Sequence, residues 1–188
     1  MSYTSFEKGE IFEKFVESNL FPEHQYTLIH RTDNYEQNKI RFSENTLLPD
    51  FKFRHKITEE EFYIEAKYRG KFDTDDRLKI MDFNQQKKFK EIEKKENIKI
   101  FIVLGYIGSP HKPYNVCLIP LSKLKYPRYY NSYLKEFKID HSKFIQFDSL
   151  QLYKNLNIND NYTTKKEVIN SNEISLKENI TINKIIDD

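Results

Sequence analysis

The chain has 188 residues, 32% of them charged and 38% hydrophobic, with 13 Tyr, 15 Phe and a formal net charge of +2. That length favours one principal domain with an aromatic-rich core, and so small a net charge does not by itself argue for nucleic-acid binding. No apolar run approaches the roughly 20 residues that cross a bilayer, and the single cysteine, Cys117, excludes an internal disulfide and a Cys-based zinc site.

Charged residues Glu7, Lys8 and Glu10 stand where a signal peptide would be apolar, so a reducing, cytoplasmic setting is expected. Ser5 to Leu20 reads as an amphipathic helix stopped by Pro22, with Phe12, Phe15, Val16 and Leu20 as its apolar stripe. At 100° per residue, Glu13 falls at the edge of that stripe, while Glu10 and Glu17 point toward solvent. Tyr26 to Thr32 alternates as a strand. Residues 33–46 are polar and read as a loop near the cleft, where Arg31, Lys39 and Arg41 are read as surface charge before substrate contacts.

Leu47 to Arg69 carries the chemistry. Pro49-Asp50 is followed by 14 residues and then Glu65-Ala66-Lys67. Two strands joined by a polar connection fit this stretch, and alternation puts Phe62, Ile64 and Ala66 on one face and Tyr63, Glu65 and Lys67 on the other. A hairpin with Asp50 opposite Glu65 sets Phe51 against Ile64 and Phe53 against Phe62. That register stacks the apolar side chains and gathers two carboxylates and an ammonium on the opposite face. Such a trio suits metal-assisted phosphodiester hydrolysis. Two carboxylates, the strand carbonyl of Ala66 and waters make an oxygen shell for Mg²⁺ (or Mn²⁺). Lys67, about 7 Å along the same face from Glu65, is placed to steady an attacking water or developing phosphorane charge.

Pro49-Asp50 followed at ordinary distance by Glu65-Ala66-Lys67 resembles the motif of the PD-(D/E)XK nuclease superfamily. The resemblance implies a restriction-endonuclease-like α/β core, with a mixed central β-sheet flanked by helices. It also implies that Asp50 and Glu65 hold the metal and that Lys67 assists attack. The run Gly9 to Phe15 resembles the family's first helix, whose glutamate often reaches the metal site, which implies Glu13 as a third acidic group. Tyr68 and Arg69, just past the trio, are expected phosphate or base contacts.

Asp73, Asp75 and Asp76 lack the spacing of an EF-hand and read as a helix N-cap region. The helix is predicted over about Asp76 to Lys95, with Leu78, Met81, Gln85, Phe89 and Ile92 inward and several lysines on a solvated outer surface. Gln85 on a core face needs a partner. Either it bonds backbone, or it borders the cleft and bonds water or phosphate. Gln85 to Phe89 resembles the family's Gln-x-x-x-Tyr element with Phe in place of Tyr, and Gln86 is the alternative.

Ile98 to Tyr106 is the most apolar run and reads as a strand covered on both faces, parallel to an earlier strand. Gly105, Gly108, Ser109 and Pro110 are read as ending it. Asn115 to Pro120 is a further strand, and Tyr129 to Phe137 a short helix. Residues 1–154 are thus expected to form the nuclease-like domain. The Asn/Ile/Lys-rich extension 155–188, with eight Asn, is open between a loose tail, an added strand and pairing with a second copy in a homodimer. Tyr106-Ile107-Gly108 lacks the upstream half of a GIY-YIG signature, and no HExxH, P-loop, dinucleotide or serine-elbow motif occurs.

The expected activity is a Mg²⁺-dependent endonuclease acting on DNA, in restriction or defence. The alternatives are a Holliday-junction or repair nuclease, a catalytically silent DNA-binding or assembly domain, and a structural protein in which the trio is only an exposed ion cluster.

Overall fold

The computed structural model describes residues 3–32, 48–148 and 150. Lys39, Arg41 and the extension 155–188 lie outside the described residues. The chain divides into Met1–Ile145 and Gln146–Asp188. Only residues 146–148 and 150 of the second unit are described.

In the first unit, helix α1 (Ser5–Phe15) starts in a capping box, where Thr4 N donates to Glu7 and Glu7 N donates to Thr4 Oγ1. It runs into a wider π-helical turn, Val16–Leu20, that buries Val16 and Leu20. A mixed five-stranded sheet follows, built from β1 (Tyr26–Arg31), β2 (Phe51–His55), β3 (Glu61–Arg69), β5 (Lys99–Ser109) and β6 (Lys112–Pro120), in the spatial order β1-β2-β3-β5-β6. Strand β4 (Arg77–Lys79) instead pairs with β7 (Arg128–Tyr130) in a separate two-stranded sheet. Helix α2 (Phe83–Glu96) lies between β4 and β5 in the chain, and a short helix, α3 (Asn131–Leu134), follows β7.

The β2–β3 hairpin has the register that apolar stacking requires, with Phe51 opposite Ile64 and Phe53 opposite Phe62. Those aromatics meet Phe21 and Tyr26, with Phe21 stacked on Phe53 at 4.9 Å, and α1 packs against β3 on that side. Strand β3 runs parallel to β5, the crossover passing through α2. Ile100 to Leu104 of β5 are all buried, as a central strand covered on both faces demands.

Three expectations on element bounds are corrected. The α2 helix begins at Phe83, because Asp82 is its N-cap and accepts from Gln85 N. Leu78 therefore belongs to β4 and Met81 precedes the helix, so neither is part of its stripe. Arg128–Tyr130 is a strand, and helix begins only at Asn131. Gly105 does not end β5, which continues to Ser109. It is there because Phe12 of α1 lies directly over it, so that an added Cβ would stand 2.3 Å from Phe12 Cε2. Phe12 is fully buried and has little room to withdraw. Gly105→Ala is therefore expected to cost about 1–3 kcal/mol through overpacking, or about 2–4 °C of Tm per kcal/mol in a domain of this size. An unchanged thermal denaturation midpoint would contradict that packing.

Candidate active site

The Pro49-Asp50 segment is pinned before it enters β2. Thr32, just past the end of β1, donates its backbone N–H to the Asp50 carbonyl at 2.9 Å and its hydroxyl to the Pro49 carbonyl at 2.9 Å. The hairpin register then sets Asp50 beside Glu65 on the neighbouring strand. Asp50 N donates to Glu65 Oε2 at 3.3 Å, and Ala66 N donates to Asp50 Oδ2 at 2.7 Å. These reciprocal bonds fix both carboxylates against the backbone of the other strand.

Glu65 is 2% exposed, deep for an acid. Its Oε1 accepts Gln85 Nε2 at 2.8 Å and pairs with the Lys67 ammonium. Alternation on β3 puts Glu65 and Lys67 on one face, and the first turn of α2 brings Gln85 down onto it. Gln86, one residue further round the helix, is buried instead and donates to the Tyr126 carbonyl at 2.7 Å. The two amides thus divide the readings, Gln85 meeting the acid and Gln86 the backbone. Asp50, Glu65, Lys67 and Gln85 line a cleft of about 450 Å³ together with Thr32, Leu48, Asn84, Lys88 and Phe89.

The electrostatics of the cleft are unbalanced. Burial, with the Glu65 charge next, raises the Asp50 carboxyl well above the usual carboxylate range, and Lys67 offsets only part of this. Burial acts to lower the Lys67 pKa, but Glu65 and Asp50 outweigh it and hold the ammonium above its ordinary value. Lys67 is thus kept as a cation, suited to stabilising negative charge and unsuited to accepting a proton. Around the acids themselves two carboxylates face the one ammonium of Lys67, a local deficit of positive charge, with Lys88 as the cleft's second described lysine.

That deficit fits a divalent cation. The donors are oxygens, the hard ligands that Mg²⁺ and Mn²⁺ take, and Mg²⁺ characteristically uses one or two carboxylates and completes its shell with water and substrate phosphate. Among the described residues no group of three or more His, Cys, Asp or Glu gathers closely enough to hold a metal. Glu13 belongs to no such group. It faces Arg31 at 3.7 Å, which also bonds Glu17 at 2.8 Å. Burial first, offset by Arg31, raises the Glu13 pKa, the Glu65 charge adds to that rise, and the Glu13 charge acts in turn on Asp50.

Tyr68 and Arg69 do not line this cleft. Tyr68 donates its hydroxyl to the Gly108 carbonyl at 2.6 Å, and its ring sits 5.8 Å from Phe12. The Arg69 guanidinium donates to the carbonyls of Lys79, Tyr68 and Ile80, tying β4 to the main sheet. Both thus bond backbone carbonyls outside the cleft. Lys88 is a cleft residue that sequence reasoning missed by grouping it with the solvated lysines of α2. Its position three residues after Gln85, on the same helix face, is the signal that could have found it. Thr32 carries no motif and is recognisable only from the fold.

Fold and site together define an α/β domain with a mixed sheet and a cleft whose described lining carries two carboxylates, two lysines and two side-chain amides. The chain is similar to the 1.6 Å structure of Archaeoglobus fulgidus Hjc, a Holliday junction resolvase from an archaeal hyperthermophile. The likeness covers 74% of this chain and 99% of that one, at 14% identity and a TM-score of 0.49, too distant to assign a family or a function. No family model matches the chain, and no curated protein is significantly similar to it. Among the described residues no helix is long and apolar enough to cross a membrane.

Proposed function

We propose that the chain is a metal-dependent endonuclease that hydrolyses phosphodiester bonds in DNA, of the PD-(D/E)XK kind. The observation that carries this reading is the reciprocal pairing of Asp50 with the Glu65-Ala66 segment, with the Lys67 ammonium on Glu65, all in an open cleft. An ion cluster serving stability alone is a weaker account, because desolvation and the neighbouring Glu65 charge raise the cost of charging Asp50.

Asp50 and Glu65, with the Ala66 carbonyl, would hold Mg²⁺ or Mn²⁺. The bound ion would supply Lewis-acid polarisation of the phosphate and a lowered pKa for a bound water. The chain's own residues do the rest. Lys67 places a permanent positive charge where the pentavalent phosphorus develops negative charge. Gln85 holds the Glu65 carboxylate in one orientation. Lys88 adds a cation to the cleft wall, suited to a neighbouring phosphate. Glu13 acts through its charge, raising the demand for a cation in the cleft. Localisation in the cytoplasm and action as a restriction or defence enzyme, or on junctions and repair intermediates, are parts of the same proposal.

The test is incubation of the full chain with supercoiled plasmid, short duplexes, four-way junctions and RNA in Mg²⁺ or Mn²⁺. The expected result is nicking or cutting of DNA that EDTA stops. Cleavage that persists in EDTA, or in Asp50→Ala, would point to a contaminant. Binding of DNA without cleavage would favour a silent module.

A further inference from the structure

Beside the catalytic cleft, along the outer face of α2, lies a second groove of about 560 Å³. Phe83, Lys87, Lys90 and Lys94 recur at spacings of four, three and four residues, so one helix face presents them all. Lys125 lines the opposite wall, and Glu91 is the one acid among the described lining residues. The opposite wall is held rigidly. Lys90 Nζ donates to the Leu124 carbonyl, Gln86 to the Tyr126 carbonyl, and the Tyr129 hydroxyl accepts from Lys125 N and Tyr126 N. On either side an aromatic is left in solvent, Phe83 at 60% exposure in the lining and Tyr126 at 63% just beyond Lys125.

A lysine-rich helix face is ordinarily a solvated surface, and a lone exposed aromatic needs no explanation. Three features together say more: the concave shape, the exposed aromatic within it, and its continuity with the first cleft, since Asn84 lines both. A duplex backbone would ask only for positive charge. Exposed rings among lysines match the stacking platform and electrostatic track that bind unpaired bases. We infer that this groove takes a single-stranded DNA segment leading away from the scissile phosphate, its phosphates on Lys87, Lys94 and Lys125 and a base on Phe83. The substrate class is therefore DNA with unpaired bases next to the cut, such as a fork or flap. The inference rests on the nuclease reading for the direction of the strand, and on the groove itself for its chemistry.

Fluorescence anisotropy on the full chain in EDTA, which prevents cleavage, tests it with four probes: labelled oligothymidine, oligouridine, a splayed-arm fork and a blunt duplex. Phe83→Ala is expected to weaken oligothymidine and fork binding about tenfold and to leave the blunt duplex within about twofold. The Lys87→Glu/Lys94→Glu variant is expected to lower the salt dependence of oligothymidine binding by about 0.7 in log–log slope for each lysine–phosphate pairing it removes. All three side chains are exposed, so the variants are expected to keep the wild-type circular dichroism. Unchanged oligothymidine affinity, an equal weakening on blunt duplex, or a preference for oligouridine over oligothymidine would overturn the inference. A chain that cuts nothing while Phe83→Ala loses single-strand binding would keep the groove and remove the nuclease reading. Cleavage by wild type with variants that bind normally would remove the groove alone.

Discussion

Asp50→Asn is expected to abolish cleavage while making the metal-free protein more stable at neutral pH. The asparagine keeps an oxygen to accept from Ala66 N, so the strand contact survives. It removes a charge that burial and the Glu65 carboxylate disfavour. Because the folded-state pKa of Asp50 lies above its unfolded value of about 3.9, the folded chain binds more protons between the two. The stability from protonated Asp50 is therefore complete below the unfolded pKa and is lost as pH rises through the raised folded one. The amide does not titrate and so carries no such loss as pH rises. The gain is expected to be about 1 kcal/mol, within the range of single stabilising substitutions, or about 2–4 °C in Tm. Mg²⁺ or Mn²⁺ at a hundred times its Kd is expected to stabilise wild type by about 2.7 kcal/mol, and to leave Asp50→Asn unmoved. Thermal unfolding of both proteins across pH, with and without metal, reads all of this. A destabilised Asp50→Asn, or one that metal still stabilises fully, contradicts the charge balance described for the cleft.

Lys67→Ala is expected to lower the cleavage rate by about 10²–10³-fold, the scale of removing one charge-stabilising donor from a transition state. The metal affinity is expected to change far less. Since Glu65 and Asp50 hold the ammonium above its ordinary pKa, Lys67 is not the proton acceptor. The wild-type rate between about pH 6 and 9 is therefore expected to show no limb that disappears in the variant. Lys67→Ala also leaves two neighbouring carboxylates without their ammonium, so the metal-free variant melts below wild type. Single-turnover cleavage at saturating Mg²⁺ separates the rate from the affinity. A variant that cuts at the wild-type rate would remove Lys67 from the mechanism.

The parts of the chain legible from sequence are those where one face must be apolar. Phe51, Phe53, Phe62 and Ile64 stack in only one register, and that register alone sets Asp50 beside Glu65. The run from Ile100 to Leu104 has no polar alternation and so declares a central strand. Illegible features turn on contacts between distant segments. Strand β4 has three residues, too few to show a period, and its pairing with β7 is long-range. Asp76 and Asp82 are both cap residues by type, and only the structure distinguishes the one that caps. Gly105 has the composition of a terminator, whereas its reason is the Phe12 ring above it. Gln85 and Gln86 differ by about 100° of helix rotation, a difference decided by where the β3 strand lies. Arg69 reads as a phosphate contact from its place after the trio, and its bonds to three backbone carbonyls are visible only in the fold.

The measurement closest to the heart of the account is a Mn²⁺ titration followed by the electron paramagnetic resonance of the free ion. It compares wild type, Asp50→Asn and Glu65→Gln at neutral pH. Saturable binding by wild type that both substitutions abolish is the predicted result. Equal Mn²⁺ uptake by all three proteins, or none by wild type, would contradict it.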